Sequence, residues 1–430
     1  MTEFLDIERA PRQTLIAHQS TRLAALIHGL PERNQFYTKK LKTLAVSTQQ
    51  LHFPRDLSEL PFTTKAELAA DQTTTPPWGT ALSEPIAHYV RYNQTSSTTG
   101  NPLRWIDTAE SWQWMLDCWK AVYRAARVSN KDRIFFPFSF GPFLGFWTGF
   151  DAATQIGAHT IPSGGMTSHS RLTLIDTTQP TVVCCTPTYA LRLLDVSQEV
   201  GLSLRNSTVE TIIVAGEPGG SIPATRTRIE DGWGARVIDH YGLTEVGPIG
   251  FECWDSPGCV HINEQEFIAE ILDPETREPV DDGQQGELVI TNLGRVGSPV
   301  IRYRTRDLVV RTLAPCACGR TFARLVGGVT ARADDMVNVR GVNVYPSAIE
   351  SIIRKIPEVL EYRCTVTGEP SNRSISIEVE PTTPNNADFV VEHVTNQIRQ
   401  ALGLSVVVRS EKTGALPRFE MKARRFLVER

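Results

Sequence analysis

Five short runs in this chain carry side chains suited to holding a nucleotide and moving a phosphoryl group. Thr95-Ser96-Ser97-Thr98-Thr99-Gly100-Asn101-Pro102 comes first. A hydroxyl-rich turn of this kind can hold phosphate oxygens through backbone N–H and hydroxyl donors. Asp239-His240-Tyr241-Gly242-Leu243-Thr244-Glu245 follows, and its Thr244-Glu245 pair can reach a phosphate-bound Mg2+, which takes one or two carboxylates plus phosphate and water. Tyr303-Arg304-Thr305-Arg306-Asp307 supplies Asp307, an acceptor for ribose hydroxyls. Arg332-Ala333-Asp334-Asp335 is next, and Leu416-Pro417-Arg418-Phe419-Glu420-Met421-Lys422 brings a lysine able to neutralise a transferring phosphoryl group. The first run is not a Walker-type P-loop, since no Gly-Lys-Ser/Thr follows it. Singly, each run also reads as an ordinary loop or helix start; the ordered set carries the chemistry.

The elements that must position these runs are legible from periodicity. Residues 110–128 form a helix, with Asp107-Thr108 as cap and Trp112, Met115, Trp119, Val122 and Tyr123 at helical spacing. Amphipathic helical pieces are expected before residue 60, at 21–27 and 33–44. Short apolar runs at 134–136, 181–185, 211–215 and 235–238 alternate with Gly-rich turns and helical stretches, the texture of α/β units with buried strands. From Glu266 the pattern changes to alternating strands at 267–272, 287–291 and 308–312 with tight turns, a β subdomain of antiparallel type. After Asp334 a small α+β unit is expected: strands at 336–339, 362–367, 374–379 and 405–408, helices at 346–356 and 386–402. The fold class is therefore α/β, a large domain over 1–333 with a β subdomain, and a small domain over 334–430.

Composition narrows the function classes. A chain of 430 residues, 41% apolar and 21% charged, is an ordinary globular protein of at least two domains. A net charge of −4 provides no global basic field for nucleic acid or an anionic membrane. Apolar runs are broken well short of a membrane span, and the acidic opening Met1-Thr2-Glu3-Phe4-Leu5-Asp6 has no apolar signal core. A cytoplasmic protein with small-molecule partners is expected.

Taken together, the five runs resemble the adenylate-forming superfamily, specifically its compact phenylacetate–CoA ligase branch. The most specific stretches are Tyr303-Arg304-Thr305-Arg306-Asp307 and the run Arg332-Ala333-Asp334-Asp335-Met336-Val337-Asn338-Val339-Arg340-Gly341-Val342-Asn343-Val344-Tyr345-Pro346. The resemblance implies ATP-dependent activation of a carboxylic acid to an acyl-adenylate, then transfer to coenzyme A, in a homodimer. It places the β- and γ-phosphates at Thr95, Ser96, Thr98, Thr99 and Gly100, with Lys65, in Pro-Phe-Thr-Thr-Lys, as a further phosphate contact. It places the adenine at Gly216-Glu217-Pro218 against Asp239, His240, Tyr241 and Gly242. Thr244 and Glu245 would meet the α-phosphate and Mg2+, Asp307 the ribose, and Arg332 the ribose or phosphate. Asp334 would be the hinge, Lys422 the catalytic lysine of adenylation, and Gly341-Val342-Asn343 the face presented for thioester formation. The family's aromatic-acid loop corresponds to 138–147, with Phe140, Gly141 and Phe143 toward an apolar aryl or arylacetic acid. Ser97, Arg306 and Ala331 stand where the superfamily commonly has glycine.

Eight cysteines in a chain of this length are not a disulfide scaffold. Cys118, Cys184, Cys185 and Cys364 fall on buried helix or strand positions. Cys253-x7-His261 and Cys316-Ala317-Cys318 offer a closed Cys3His set for structural Zn2+, with Cys259 as a competing ligand. The spacing is not that of a nucleic-acid zinc ribbon. Two other functions remain open at this level: an adenylating enzyme passing its acyl group to an amine or carrier-protein thiol, and a zinc-stabilised nucleotide binder without turnover.

Overall fold

The computed structural model describes residues 6–44, 47–95, 102–340, 342–369, 373–419 and 423–429. Strands β1 (Tyr89–Gln94) and β2 (Arg104–Thr108) form an antiparallel hairpin whose two arms flank the hydroxyl-rich run. Periodicity did not reveal this hairpin, since β1 has a single buried residue and no alternating apolar face. Thr108 ends it and caps the helix Ala109–Ala125 through its hydroxyl on Ser111 N. Asp107 takes no part in that cap; it points inward to another partner.

The large sheet has eleven strands. Five are parallel: β3 (Arg133–Phe136), β4 (His159–Pro162), β5 (Val182–Cys185), β6 (Thr211–Ala215) and β7 (Arg236–Leu243). Antiparallel strands then extend the same sheet: β8 (Gly247–Glu252), β9 (Cys259–Ile262), β10 (Phe267–Leu272), β11 (Gln285–Asn292), β12 (Tyr303–Thr312) and β13 (Arg324–Arg332). The spatial order is β10-β11-β12-β13-β9-β8-β7-β6-β5-β3-β4. The β subdomain expected after Glu266 thus continues the α/β sheet, because β8 turns back on β7 and hands its other edge to β9.

The parallel half is covered on both faces, which is why its strands read as continuous apolar runs. Alternate side chains separate two cores. Ile134, Phe136, Cys184, Ile213 and Ile238 pack with Trp119, Val122 and Tyr123 on one side. Phe135, Val183, Cys185, Val214 and Val237 pack with Leu172, Leu193 and Ile229 on the other. The N-terminal region is a single helix, Arg12–Arg33, followed by Gln35–Leu41 capped by Asn34, rather than two pieces divided before Arg33.

Beyond Arg332 the chain builds a separate core of Val337, Val344, Ile349, Ile353, Tyr362, Val366, Ile377, Val390, Val394 and Ile398. Its elements are the hairpin β14 (Val337–Val339) and β15 (Val342–Val344), helices Pro346–Ile353 and Ala387–Leu402, and a four-stranded sheet. That sheet runs β18 (Val407–Ser410), β17 (Ser374–Pro381), β16 (Val359–Thr367), β19 (Phe426–Val428). Among the described residues no helix is long and apolar enough to cross a membrane.

Candidate active site

Strand pairing brings two of the five runs together with the Pro-Phe-Thr-Thr-Lys stretch that carries Lys65. Thr63 forms a parallel bridge with Tyr303, Thr63 N donating to Arg302 O at 3.0 Å and Arg304 N to Thr63 O at 2.9 Å. Thr64 then caps the helix Lys65–Thr74 in a reciprocal box with Glu67. Lys65 is left at the helix's first position, half exposed, with Nζ 3.3 Å from Glu245 Oε1. Glu245 is buried and also accepts from Tyr303 Oη at 3.2 Å. Tyr303, to which the sequence assigned no role, therefore orients the carboxylate expected to meet Mg2+. Both contacts fall on Oε1.

The second cluster lies on the same sheet. Tyr241 Oη donates to Asp307 Oδ2 at 2.5 Å, and Arg332 Nη1 donates to Asp307 Oδ1 at 2.9 Å. Register explains the second contact, since Asp307 and Arg332 are direct partners across β12 and β13. Arg332 also forks Asp334, Nε to Oδ1 at 3.0 Å and Nη2 to Oδ2 at 2.9 Å, so one guanidinium joins the expected ribose acceptor to the expected hinge. Burial pushes the Asp307 carboxyl up to about 6, against the downward pull of Arg332. Asp239 sits at a similar value, pushed up to about 6 by burial while Ser221 Oγ, 2.5 Å away, pulls it down.

Arg306 adopts φ +65°. That left-handed backbone explains why glycine suits this position, and an L side chain there costs roughly 1–2 kcal/mol. Ala333 N donates to Arg306 O at 2.7 Å and holds the conformation. Ala331, in contrast, lies in β13 with no positive φ, so alanine replaces glycine there without strain. Ser96, Ser97, Thr98, Thr99, Gly100, Gly341 and Lys422 fall outside the described residues. Thr95 is described: it closes the neck of the first run, its N donating to Leu103 O and its Oγ1 accepting from Leu103 N, both at 3.0 Å.

His240 turns its side chain away from its neighbours in this run. It alternates with Asp239 and Tyr241 on β7, so its side chain leaves from the other face. Its ring lies 4.3 Å from Trp119, Nδ1 is 2.7 Å from Gly250 O, and burial lowers its pKa to about 4. This imidazole is neutral core packing and supplies no side-chain contact to the Tyr241–Asp307 cluster. Gly242 is required by close approach: a Cβ there would stand 2.9 Å from Gly247 O. Gly216 has φ +95° and is exposed with Pro218 at the end of β6. Glu217, between them, turns its carboxylate to Thr188 N and Ala423 N.

Arg295 escaped the sequence reading altogether. Fully buried, it forks Asp107 with Nε–Oδ1 2.6 Å and Nη2–Oδ2 2.7 Å, and its Nη1 donates to Thr244 O at 2.6 Å. It thereby ties the base of the β1–β2 hairpin to the Thr244-Glu245 turn. No local motif surrounds it, and a lone Arg between glycines gives no signal.

In the aromatic loop Phe140 has φ +51° and is the hub of a ring cluster: Trp147 at 4.8 Å, Phe138 and Phe150 at 5.3 Å, and Phe136 at 6.5 Å. Trp147 Nε1 donates to Gly141 O at 3.0 Å, and Gln94 N to Pro142 O at 2.7 Å, which fastens the loop to β1. Phe143 folds its ring across Gly141, where a Cβ would approach it to 3.3 Å.

Cys253, His261, Cys316 and Cys318 converge with all four ligand atoms within 4.8 Å of one another, all buried. Cys253 and Cys316 Sγ are 3.6 Å apart, and Cys318 Sγ is 3.5 Å from His261 Nε2. Tetrahedral zinc with Zn–S near 2.3 Å and Zn–N near 2.0 Å implies separations of about 3.5–3.8 Å, so these residues fit the ion. Cys259 is not in the group: on β9 it is separated from His261 by one residue and stays free and half-buried. His261 Nδ1 is buried with no hydrogen-bond partner, beside the Phe251 ring at 5.9 Å.

The ordered motifs, the two-core sheet and the separate small-domain core are those of an adenylate-forming enzyme. The chain belongs to the AMP-binding enzyme family, whose profile matches residues 24–294, with that family's C-terminal domain matching 341–430. It is 32% identical over 400 residues to a phenylacetate–coenzyme A ligase of Thermus thermophilus, covering 92% of this chain and 88% of that one. To the enzyme of that name from Escherichia coli it is 32% identical over 436 residues, covering 98% and 96%. The fold superposes on 2-hydroxyisobutyryl-CoA ligase in its postadenylation state with the 2-hydroxyisobutyryl adenylate (TM-score 0.94, 25% identity, 99% of this chain and 91% of that one). On the same ligase in its thioesterification state, with that adenylate and CoA, the TM-score is 0.75 at 26% identity, covering 98% and 91%.

Proposed function

We propose that this chain joins an apolar aryl or arylacetic acid to coenzyme A at the expense of ATP. The reaction class is ATP-dependent: the acid's carboxylate attacks the α-phosphorus, pyrophosphate leaves, and an acyl-adenylate forms. The CoA thiol, losing its proton, then attacks the acyl carbon and AMP departs. Such chemistry depends mostly on positioning and on charge stabilisation. The observation that carries the reading is the meeting of Lys65, Glu245 and Tyr303 beside Tyr241, Asp307 and Arg332 on one sheet.

In this reading Asp307 takes the ribose hydroxyls, Lys65 a phosphate, and Thr244-Glu245 the α-phosphate side. Magnesium, held by Glu245, would neutralise phosphate charge. Asp334 is the hinge between the domains. The difference in TM-score between the two states of 2-hydroxyisobutyryl-CoA ligase, 0.94 against 0.75, supports the present arrangement as the adenylating one. The ring cluster around Phe140, with no charged group in 138–147, favours an apolar aromatic acid. The names of the phenylacetate–coenzyme A ligases favour CoA as acceptor. ATP with a panel of aryl and aliphatic acids, with and without CoA, tests all of this. Acid-dependent AMP release with thioester only from aryl acids is expected; AMP release without thioester would move the acceptor to an amine or carrier thiol. Sedimentation tests the proposed homodimer.

Asp307→Asn is expected to raise the KM for ATP about tenfold or more, the scale of losing charge-assisted hydrogen bonds, with the acid's KM little changed. In the parent enzyme the KM for ATP should rise as pH falls through about 6, since the raised carboxyl is then protonated and loses its charge and part of its acceptor capacity. Steady-state kinetics from pH 5 to 8 checks this; a low-pH limb surviving in Asp307→Asn would assign it to Asp239 instead.

Zinc is proposed at Cys253, His261, Cys316 and Cys318, closing β8, β9 and the 316–318 turn together. About one zinc per chain is expected by elemental analysis. Cys316→Ser should lose it with a lower melting temperature, and Cys259→Ser should retain it. With four protein ligands no position is open for water, so the pH–rate profile of the surviving folded enzyme should not move.

A further inference from the structure

The Glu217 carboxylate is shared between the two domains. Oε1 accepts from Thr188 N at 2.8 Å, at the start of the helix Pro187–Glu199. Oε2 accepts from Ala423 N at 2.9 Å. Ala423 directly follows Lys422. Among the described residues this is the only backbone hydrogen bond from 423–429 to the large domain. The other link is a side-chain contact, Arg425 Nη1 to Thr188 Oγ1 at 3.4 Å, and Arg425 is otherwise engaged by Glu361 within its own domain. Each Glu217 oxygen therefore serves one domain, and the carboxylate faces backbone amides rather than nucleotide space.

We propose that Glu217 is a catch for the adenylating arrangement: by accepting the Ala423 N–H it seats the small domain at the residue that directly follows Lys422 in sequence. The role is one of positioning. It rests on the reading of Lys422 given above. A carboxylate anchored on the large domain at Thr188 is a fixed acceptor, so Ala423 docks in one register. When the small domain rotates for thioester formation, Ala423 leaves and Glu217 keeps only Thr188. The adenylating state thus has a charge-assisted hydrogen bond that the thioester-forming state lacks, so only the first half-reaction depends on it.

The test measures the half-reactions separately in Glu217→Gln and Glu217→Ala. The first is acid-dependent ATP–pyrophosphate exchange; the second is thioester formation from supplied acyl-adenylate and CoA. Glutamine offers one acceptor oxygen where two amides need one each, so both variants should behave alike. Exchange kcat should fall about tenfold, the scale of one charge-assisted bond. The KM for ATP should stay within about twofold, as binding of substrate itself is untouched. Thioester formation should be unchanged or faster. Ala423→Pro, which removes the donor from the opposite side without altering the large domain, should show the same split. A raised KM for ATP with kcat intact would make Glu217 an adenine contact and overturn the catch. An equal fall in both half-reactions, or no change in either, would also overturn it. Lys422→Ala is the control: failure of that variant to separate the half-reactions would overturn the underlying reading instead.

Discussion

Lys422→Ala is expected to lower acid-dependent AMP formation by about two to three orders of magnitude, the scale for removing one charge donor from a transition state. Thioester formation from supplied acyl-adenylate should fall far less. The expectation depends on where the neighbouring chain lies: Ala423 N is held on Glu217, at the loop that ends β6, close to the turn that carries Thr244 and Glu245. In the proposed reading the lysine that precedes this anchor in sequence would stabilise the pentacoordinate phosphorus, where negative charge accumulates as carboxylate enters and pyrophosphate leaves. In the second step the phosphoryl chemistry is finished and AMP is the leaving group, so the same ammonium has little to stabilise. Rapid-quench measurement of each half-reaction decides the matter. Equal losses in the two would mean that one domain arrangement serves both steps.

The second large effect is on stability. Arg295 and Asp107 are both 0% exposed in their side chains and bonded through two nitrogens and two oxygens. Arg295→Ala leaves Asp107 charged, buried and unpaired, and breaking a buried pair from one side costs roughly 3–5 kcal/mol. It also releases Thr244 O, which Arg295 Nη1 holds at 2.6 Å. Denaturant unfolding should therefore show the loss, and whatever folded enzyme remains should have a reduced kcat through a looser Thr244-Glu245 turn. Replacing both partners, Arg295→Met with Asp107→Leu, should recover much of the stability, because an apolar pair pays no desolvation cost. It should not recover kcat, because no donor is restored to Thr244 O. Stability and kcat recovering together in the double variant would show that Arg295 acts on the fold alone.

Much of the architecture was legible in the chain. The helix Ala109–Ala125 and the buried strands β3, β5, β6 and β7 announced themselves, since a covered parallel strand must be apolar on both faces and an amphipathic helix must repeat every three to four residues. β4, β8 and β9 did not: β4 is partly exposed and polar, and the apolar pattern of β8, Gly-Pro-Ile-Gly-Phe-Glu, is broken by two glycines and a proline. The order of the five motifs also lay in the sequence, as did the donor set Cys253, His261, Cys316 and Cys318, because these depend on residue type and spacing.

Which way a side chain points is another matter. His240 sits in the middle of a motif of ligand-type residues, yet strand alternation sends its ring to Trp119 while Tyr241 goes to Asp307. Cys259 competes with the set Cys253, His261, Cys316 and Cys318 on paper, and the fold leaves it outside the group in which those four converge. Arg295 meets Asp107 across 188 positions and Glu217 meets Ala423 across 206. Residue types and their periodicity determined the strands, the helices and the chemistry this chain could carry. Register and domain docking, set by contacts summed over the whole molecule, decided which of those side chains meet.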